Sequence, residues 1–401
     1  MTFDDQKEER MSNELQDIAP EEDIDGLDSS EETSSRSGAI KPWDPGKIRI
    51  TTKTFTLREI VGQIDEGDID LSPDFQREYV WRARQRTRLI ESILLGIPLP
   101  AFYFNQSDSG TYQVVDGVQR LSTISLFMRG EHRLSNVDLE YLSDLDNKTY
   151  DRLDTAAMRR FRSTQIVVHV IEPQTPDEVK YDIFNRVNTL GSPLSPQEIR
   201  HAMSSARSRE FIGRLAESDA FDAATERHYW KRDPEGIVVR NSGRMANREL
   251  VLRFCAFRLS SIEQYRQFPS LDAFLMDFTK RIDGTTKPVI SDAELEDLRA
   301  AFQRAMTAAH EILGPAAFRR WPVGADRRGP INRAVFEAQA NALADYSLEE
   351  LLPHRAAIVD AFRSAFHEPE YLRAVTVGTG DANRVAYRLQ QSRQILAGAI
   401  Q

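Results

Sequence analysis

The chain has 401 residues, 40% hydrophobic and 28% charged, enough apolar material for a sizeable core in two or three domains. Its apolar runs are short, and no apolar stretch follows a basic start, so neither a membrane-spanning helix nor a secretory signal is expected. The net charge of −10 lies in one segment: residues 1–40 hold 13 Asp/Glu and 3 Lys/Arg, and the other 361 residues hold 49 of each sign.

That acidic segment (EEDIDGLDSSEETSSRSG at its centre) is poor in aromatics and is expected to be disordered. It reads either as a solubilising leader or as a nucleic-acid mimic that sits in a basic groove. The single cysteine, Cys255 in LVLRFCAF, excludes an internal disulfide and a cysteine zinc site. It fits a reducing cytoplasm and a core position.

After a KPWDPG linker, KIRITTKTF alternates as a strand, and TLREIVGQIDEG reads as a short helix stopped at Gly67. IDLSPDFQREYVW is a short strand followed by a loop. RARQRTRLIESILLGIPLP is an amphipathic helix with Leu89, Ile90, Ile93 and Leu94 on its buried face, ended by Gly96 and two prolines. AFYFNQ and TYQVVD are strands joined by SDSG, and a less regular helical region spans 130–160. TQIVVHVIE is a β-branched strand, and DEVKYDIFNRVNTLGSPLSPQEIRHAM is helix, loop, helix. From about 195 onward only helical periodicity is visible, at 207–218, 246–260, 291–313, 332–346, 349–366 and 382–399. The expected class is α+β, with a tail at 1–40, an α+β domain at 45–190 and an all-helical domain at 195–401.

The junction TYQVVDGVQRLSTISLF (111–127) carries more chemistry than a turn needs. A helix N-terminus offers unpaired backbone N–H groups and a partial positive charge, and Gly117 lets an anion approach them. Arg120 can fork two phosphate oxygens, and Gln119 can donate to an oxygen or orient a water. Asp116 can bind Mg²⁺, act as a base, or merely cap the helix. A phosphate cradle and a capped structural turn both remain open on these residues alone. A second cluster, Asp74-Phe75-Gln76-Arg77, follows a strand end and repeats the Gln-Arg pair. Arginines and glutamines converging on one pocket are costly to bury without an anionic ligand. A third, Asn185 to Gly191, contains Asn188 and Gly191, which also suit a plain helix C-cap.

LSPDFQREYVWRARQRTRLIESILLGIPLPAFYF, YQVVDGVQRLSTISLF, YDIFNRVNTLGSPLSPQEIRHAM and NRELVLRFCAF, in that order, resemble the GmrSD restriction-enzyme N-terminal domain family (DUF262) over roughly 70–260. The resemblance implies a ParB/sulfiredoxin-like α+β domain with a helical extension, a D-G-Q-Q-R motif tied to nucleotide binding and hydrolysis, and defence against phage or modified DNA. By position Asp116, Gly117, Gln119 and Arg120 match that motif, and Val118 replaces its first Gln. Asp74, Phe75, Gln76 and Arg77 match the second family motif, and Asn188 and Gly191 the third. On this reading Arg77 and Arg120 hold phosphates, with Phe75, Gly117, Asn188 and Gly191 around the nucleotide. Gln119 or Gln76 orients water, and Asp116 or Asp74 holds Mg²⁺ or accepts a proton. The implied ligands are a nucleoside triphosphate of unspecified base and Mg²⁺.

Family members that cut DNA alone carry a C-terminal HNH nuclease. None of the seven histidines here stands in a D-H-x-x-P or H-N-H context, so a stand-alone, cytoplasmic member partnered by a separate nuclease or defence subunit is expected. The alternative is a module that binds a nucleotide or DNA without turnover. DNA contact is expected from Arg82, Arg84 and Arg86 and from Lys231 and Arg232 near Tyr229 and Trp230, against the competing reading of a solvated face.

Overall fold

The computed structural model describes residues 47–71, 81–107, 109–135, 137–187, 195–232, 236–241 and 244–401. Strands β1 (Ile50–Thr56), β2 (Ile69–Asp70), β3 (Phe102–Gln106), β4 (Tyr112–Asp116) and β5 (Gln165–Ile171) form one mixed sheet in the order β1-β5-β3-β4-β2. β1 runs antiparallel to β5 and β3 to β4, while β5–β3 and β4–β2 are parallel. Alternation along β5 decides its faces: Ile166, Val168 and Val170 are buried, Gln165 and Val167 exposed.

Helices α1 (Leu57–Glu66), α2 (Ala83–Leu95), α3 (Val118–Met128) and α4 (Thr155–Ser163) pack on that buried face. Ile60, Ile90, Ile93, Leu121, Ile124 and Phe161 share one core there with Phe102 and Phe104. Each such side chain contributes roughly 1.5–3 kcal/mol by leaving water. α1 opens with a Thr56/Glu59 capping box and closes on Gly67; α2 closes on Gly96, both glycines left-handed as the sequence predicts. Across the sheet, α5 (Asp177–Val187) and α6 (Pro196–Ala202) bring Phe184 and Ile199 onto Val115 and Ile171.

The rest is largely helical: α7 (Ala206–Ala216), α8 (Asp219–Ala224), α9 (Ala246–Leu259), α10 (Ile262–Tyr265), α11 (Leu271–Asp283), α12 (Asp292–Ala308), α13 (Arg333–Leu343), α14 (Leu348–Leu351), α15 (Arg355–Ala365), α16 (Pro369–Thr376) and α17 (Ala382–Ile400). α9 and α13 form the centre, with every residue from 246 to 257 and from 334 to 343 buried. Cys255 lies in this core, and burial pushes its thiol far up, which makes it inert. α11 is absent from the sequence-level expectation, although Ser270 caps it and Phe274, Leu275, Phe278 and Ile282 are buried. Polar contacts join the two halves: Arg209 to Asp70 at 2.9 Å, Gln113 Nε2 to the Ser204 carbonyl at 3.2 Å, and Arg244 to Glu198 at 3.1 Å. No helix among the described residues is long and apolar enough to cross a membrane.

The α+β class with a helical C-terminal region is the observed one, but two local expectations are overturned. The chain beyond 195 is not helical throughout, because β6 (Trp230–Arg232) and β7 (Val238–Arg240) form an antiparallel hairpin. Three-residue strands are too short to display a period of two. Pairing fixes them instead: Trp230 lies opposite Arg240, whose guanidinium sits 4.8 Å from the indole centroid.

The region 130–160 is helical only in part: before α4 begins at Thr155, its described residues hold 3₁₀ turns at 143–145 and 150–152 and otherwise irregular chain. The buried Glu91 on α2 dictates this shape. Its carboxylate accepts the backbone N–H groups of Glu140, Tyr141 and Leu142 at 2.7–3.0 Å. Burial pushes its pKa up, but the N–H donors of Tyr141, Leu142 and Glu140 outweigh that and hold it below the ordinary 4.5. A Glu91→Gln chain is therefore expected to lose about 2 kcal/mol near neutral pH. Because the folded pKa is the lower one, this advantage of the wild type is full above about pH 4.5 and vanishes as pH falls below it. Thermal melts of both chains from pH 7 to pH 3 check it; a constant difference across that range would refute the assignment.

Candidate functional site

Strand β4 ends at Asp116, and the chain turns into α3 through Gly117 at φ 99°. No side chain caps the first turn of α3 among the described residues, which leaves its leading amides without an intrahelical partner. Gly117 is required here on two counts. Its backbone is left-handed, and a Cβ would lie 2.2 and 2.7 Å from the Phe102 ring.

Arg120 is already engaged. Its Nη2 donates to Asp116 Oδ2 at 2.8 Å and to the Ala101 carbonyl at 3.2 Å, and Nη1 donates to the Pro100 carbonyl. The guanidinium carbon stands 4.1 Å from the Phe102 ring centroid, and the side chain is only 13% exposed. Burial pulls its pKa down and Asp116 pulls it back up. Arg120 thus braces the turn to the 100–101 segment, with part of its donor set left over. Asp116, 34% exposed, keeps one carboxylate oxygen outside the ion pair.

Gln119 points the other way, toward a cavity of about 540 Å³. Asp70, Leu71, Arg86, Ser122 and Arg129 line it with Gln119, whereas Asp116 and Arg120 do not. Gln119 Oε1 accepts the Trp81 backbone N–H at 3.3 Å. Arg129 pairs with Asp65 and Asp70 with Arg209, while Ser122 Oγ is buried without a hydrogen-bond partner among the described residues. Gln119, Ser122 and Leu126 recur at helical spacing on one face of α3 and Arg129 follows its end, a pattern visible in the sequence that was not singled out there.

The predicted residues therefore separate. Asp116, Gly117 and Arg120 form the turn and its brace, and Gln119 and Arg86 meet in the cavity wall. Asp74, Phe75, Gln76 and Arg77 lie outside the described residues. Asn188 and Gly191 also lie outside them. Arg82 and Arg84 are exposed at the start of α2, while Arg86 turns inward to the cavity; Lys231 and Arg232 are exposed on the hairpin. Val118 packs against Ala202 and Met245 rather than facing the cavity. Among the described residues no group of three or more His, Cys, Asp or Glu side chains is placed to hold a metal ion.

These elements define an α+β domain: a five-stranded mixed sheet whose strand end feeds a glycine-started helix, with a cavity along that helix. Residues 57–204 match the family of the GmrSD restriction endonuclease N-terminal domain. No curated protein matches the chain.

Proposed function

We propose that residues 57–204 form a nucleotide-binding, nucleoside-triphosphate-hydrolysing module that serves restriction of foreign or modified DNA. The family supports the restriction role. The observation that supports the chemistry is the 540 Å³ cavity along α3, with Gln119, Ser122, Arg86 and Arg129 in its wall. Arg86 holds phosphate oxygens, and Gln119 orients the attacking water. Arg120 keeps the Gly117 turn in place by tying Asp116 to the carbonyls at 100–101. Mg²⁺ fits as a partner of the bound phosphates, since it needs only one or two protein carboxylates and Asp70, which also pairs with Arg209, lies in the cavity wall. When bound, it would neutralise charge on the phosphates.

The test is phosphate release from ATP, GTP, CTP and UTP with Mg²⁺, with and without DNA. Gln119→Ala is the informative variant, because Arg120→Ala removes a structural brace along with any phosphate contact. A drop of about 100-fold in turnover with intact folding is expected for Gln119→Ala. Absence of turnover in the wild type would rule hydrolysis out. A second reading then stands, a module that binds a nucleotide as a switch and recruits a separate nuclease. It is favoured by Val118, which fills the family's first Gln position and is packed against Ala202 and Met245.

A further inference from the structure

A second concentration of charge lies in the helical half, far in sequence from the α3 site. Glu226 and Arg227, at φ 52° and 54°, swing the chain from α8 into β6. Two consecutive non-glycine residues in the left-handed region are strained and persist only where the surroundings impose them. The turn places Arg227 at the root of the hairpin, 5.9 Å from the Trp230 ring centroid, with Arg240 stacked on the same ring. Lys231 and Arg232 extend the exposed basic edge. Onto this root folds the loop 319–331, from about ninety residues further along. Arg328 pairs with Glu226 and donates to the Pro315 carbonyl at 3.2 Å, and Arg319, 8% exposed, stands 3.9 Å from the same carboxylate.

One carboxylate thus serves two arginines, with Arg227, Lys231 and Arg232 beside them. The half-buried His228 reports the surplus. Burial first, then Arg319, Lys231 and Arg328, pull its pKa down to about 4, and burial and Arg328 pull Arg319 to about 10. A fold whose residues beyond 40 are neutral in sum has gathered cations on one face. Such a cluster is self-repelling, and an anion laid over it relieves the repulsion. Arg227, Lys231, Arg232 and Arg328 are exposed side chains on an open surface, contributed by two distant segments. That suits a repeating chain of phosphates better than one small anion; Arg240 is held by Asp222, and the exposed Arg227 beside Trp230 offers a fork for phosphate oxygens.

We propose that the β6–β7 hairpin root and the 319–331 loop together grip the phosphate backbone of a nucleic acid. The site is separate from the nucleotide cavity and does not rest on that reading. The experiment is fluorescence anisotropy of the full chain with a labelled short duplex and its single strand, over a range of salt, with unlabelled nucleoside triphosphate as competitor. Lys231→Ala/Arg232→Ala is expected to weaken binding about tenfold and to reduce the salt slope by about two, without altering phosphate release. Glu226→Gln, which frees Arg319 and Arg328, is expected to tighten it several-fold. Displacement by triphosphate alone would show a small-anion site and overturn the proposal, as would wild-type affinity in the double variant. Carbodiimide coupling of Lys231 to residues 1–40 that nucleic acid fails to suppress would also overturn it, making the chain's own acidic segment the occupant.

Discussion

An Arg388→Leu chain is expected to lose about 3–5 kcal/mol of stability, because the substitution strands a buried carboxylate. Arg388 and Glu337 are both fully buried, one on α17 and the other on α13. Arg388 Nε donates to Glu337 Oε1 at 2.6 Å, Nη2 donates to the same oxygen, and Nη1 reaches the Ala374 carbonyl at 3.1 Å. The pair belongs to a longer chain of charges. Arg253 Nη1 stands 3.6 Å from Glu337 and its Nη2 2.7 Å from Glu249, and Arg333 lies 3.5 Å from Glu249. Burial pushes Glu249 up, but Arg333, Arg253 and Arg200 outweigh it and bring it to about 2. Removing Arg388 leaves Glu337, among the described residues, with the longer Arg253 contact in a fully buried position. Urea unfolding followed by circular dichroism measures the loss. The double variant Glu337→Gln/Arg388→Leu should recover part of it, since the stranded charge is then gone. A loss below about 1 kcal/mol in the single variant would mean that the pair is dispensable.

Gly117→Ala is expected to cost about 2–4 kcal/mol, adding left-handed strain to overpacking. The new Cβ would fall 2.2 Å from Phe102 Cδ1, and Phe102 cannot retreat easily because it is itself fully buried and carries the Arg120 guanidinium on its face. The first turn of α3 should therefore shift, and phosphate release should fall with it. Adding Phe102→Leu should relieve the clash while leaving the φ strain, so that stability returns in part. Thermal melting and phosphate assays on the same preparations decide the matter. Wild-type melting in Gly117→Ala would show that the ring and the turn adjust freely.

The same turn shows what a sequence conveys and where it stops. Strand, glycine and helix are legible in VVDGVQRL because each depends on near neighbours: β-branched alternation, a left-handed residue, an apolar stripe at 121, 124 and 127. The glycine can be read as an anion's approach, yet the ring it makes room for, Phe102, belongs to another strand. Arg120 reads as a phosphate fork, but the carbonyls of Pro100 and Ala101 reach it only once α2 has ended and β3 has begun. Arg86 reads as one of a run of surface arginines, and only the packing of α2 against α3 turns it toward the cavity.

By itself, then, the sequence determined the α+β order of elements, the stops at Gly67 and Gly96, the buried faces of α2 and β5, and the family motif around Asp116. These are set by periodicity and backbone preference within a dozen residues. Tertiary structure alone decided the partners of each charge: Glu91 with the amides of 140–142, Arg388 with Glu337, Arg319 and Arg328 with Glu226. A charge finds its partner through space, across separations of roughly fifty to a hundred residues, and its energy depends on how much water the surrounding fold removes.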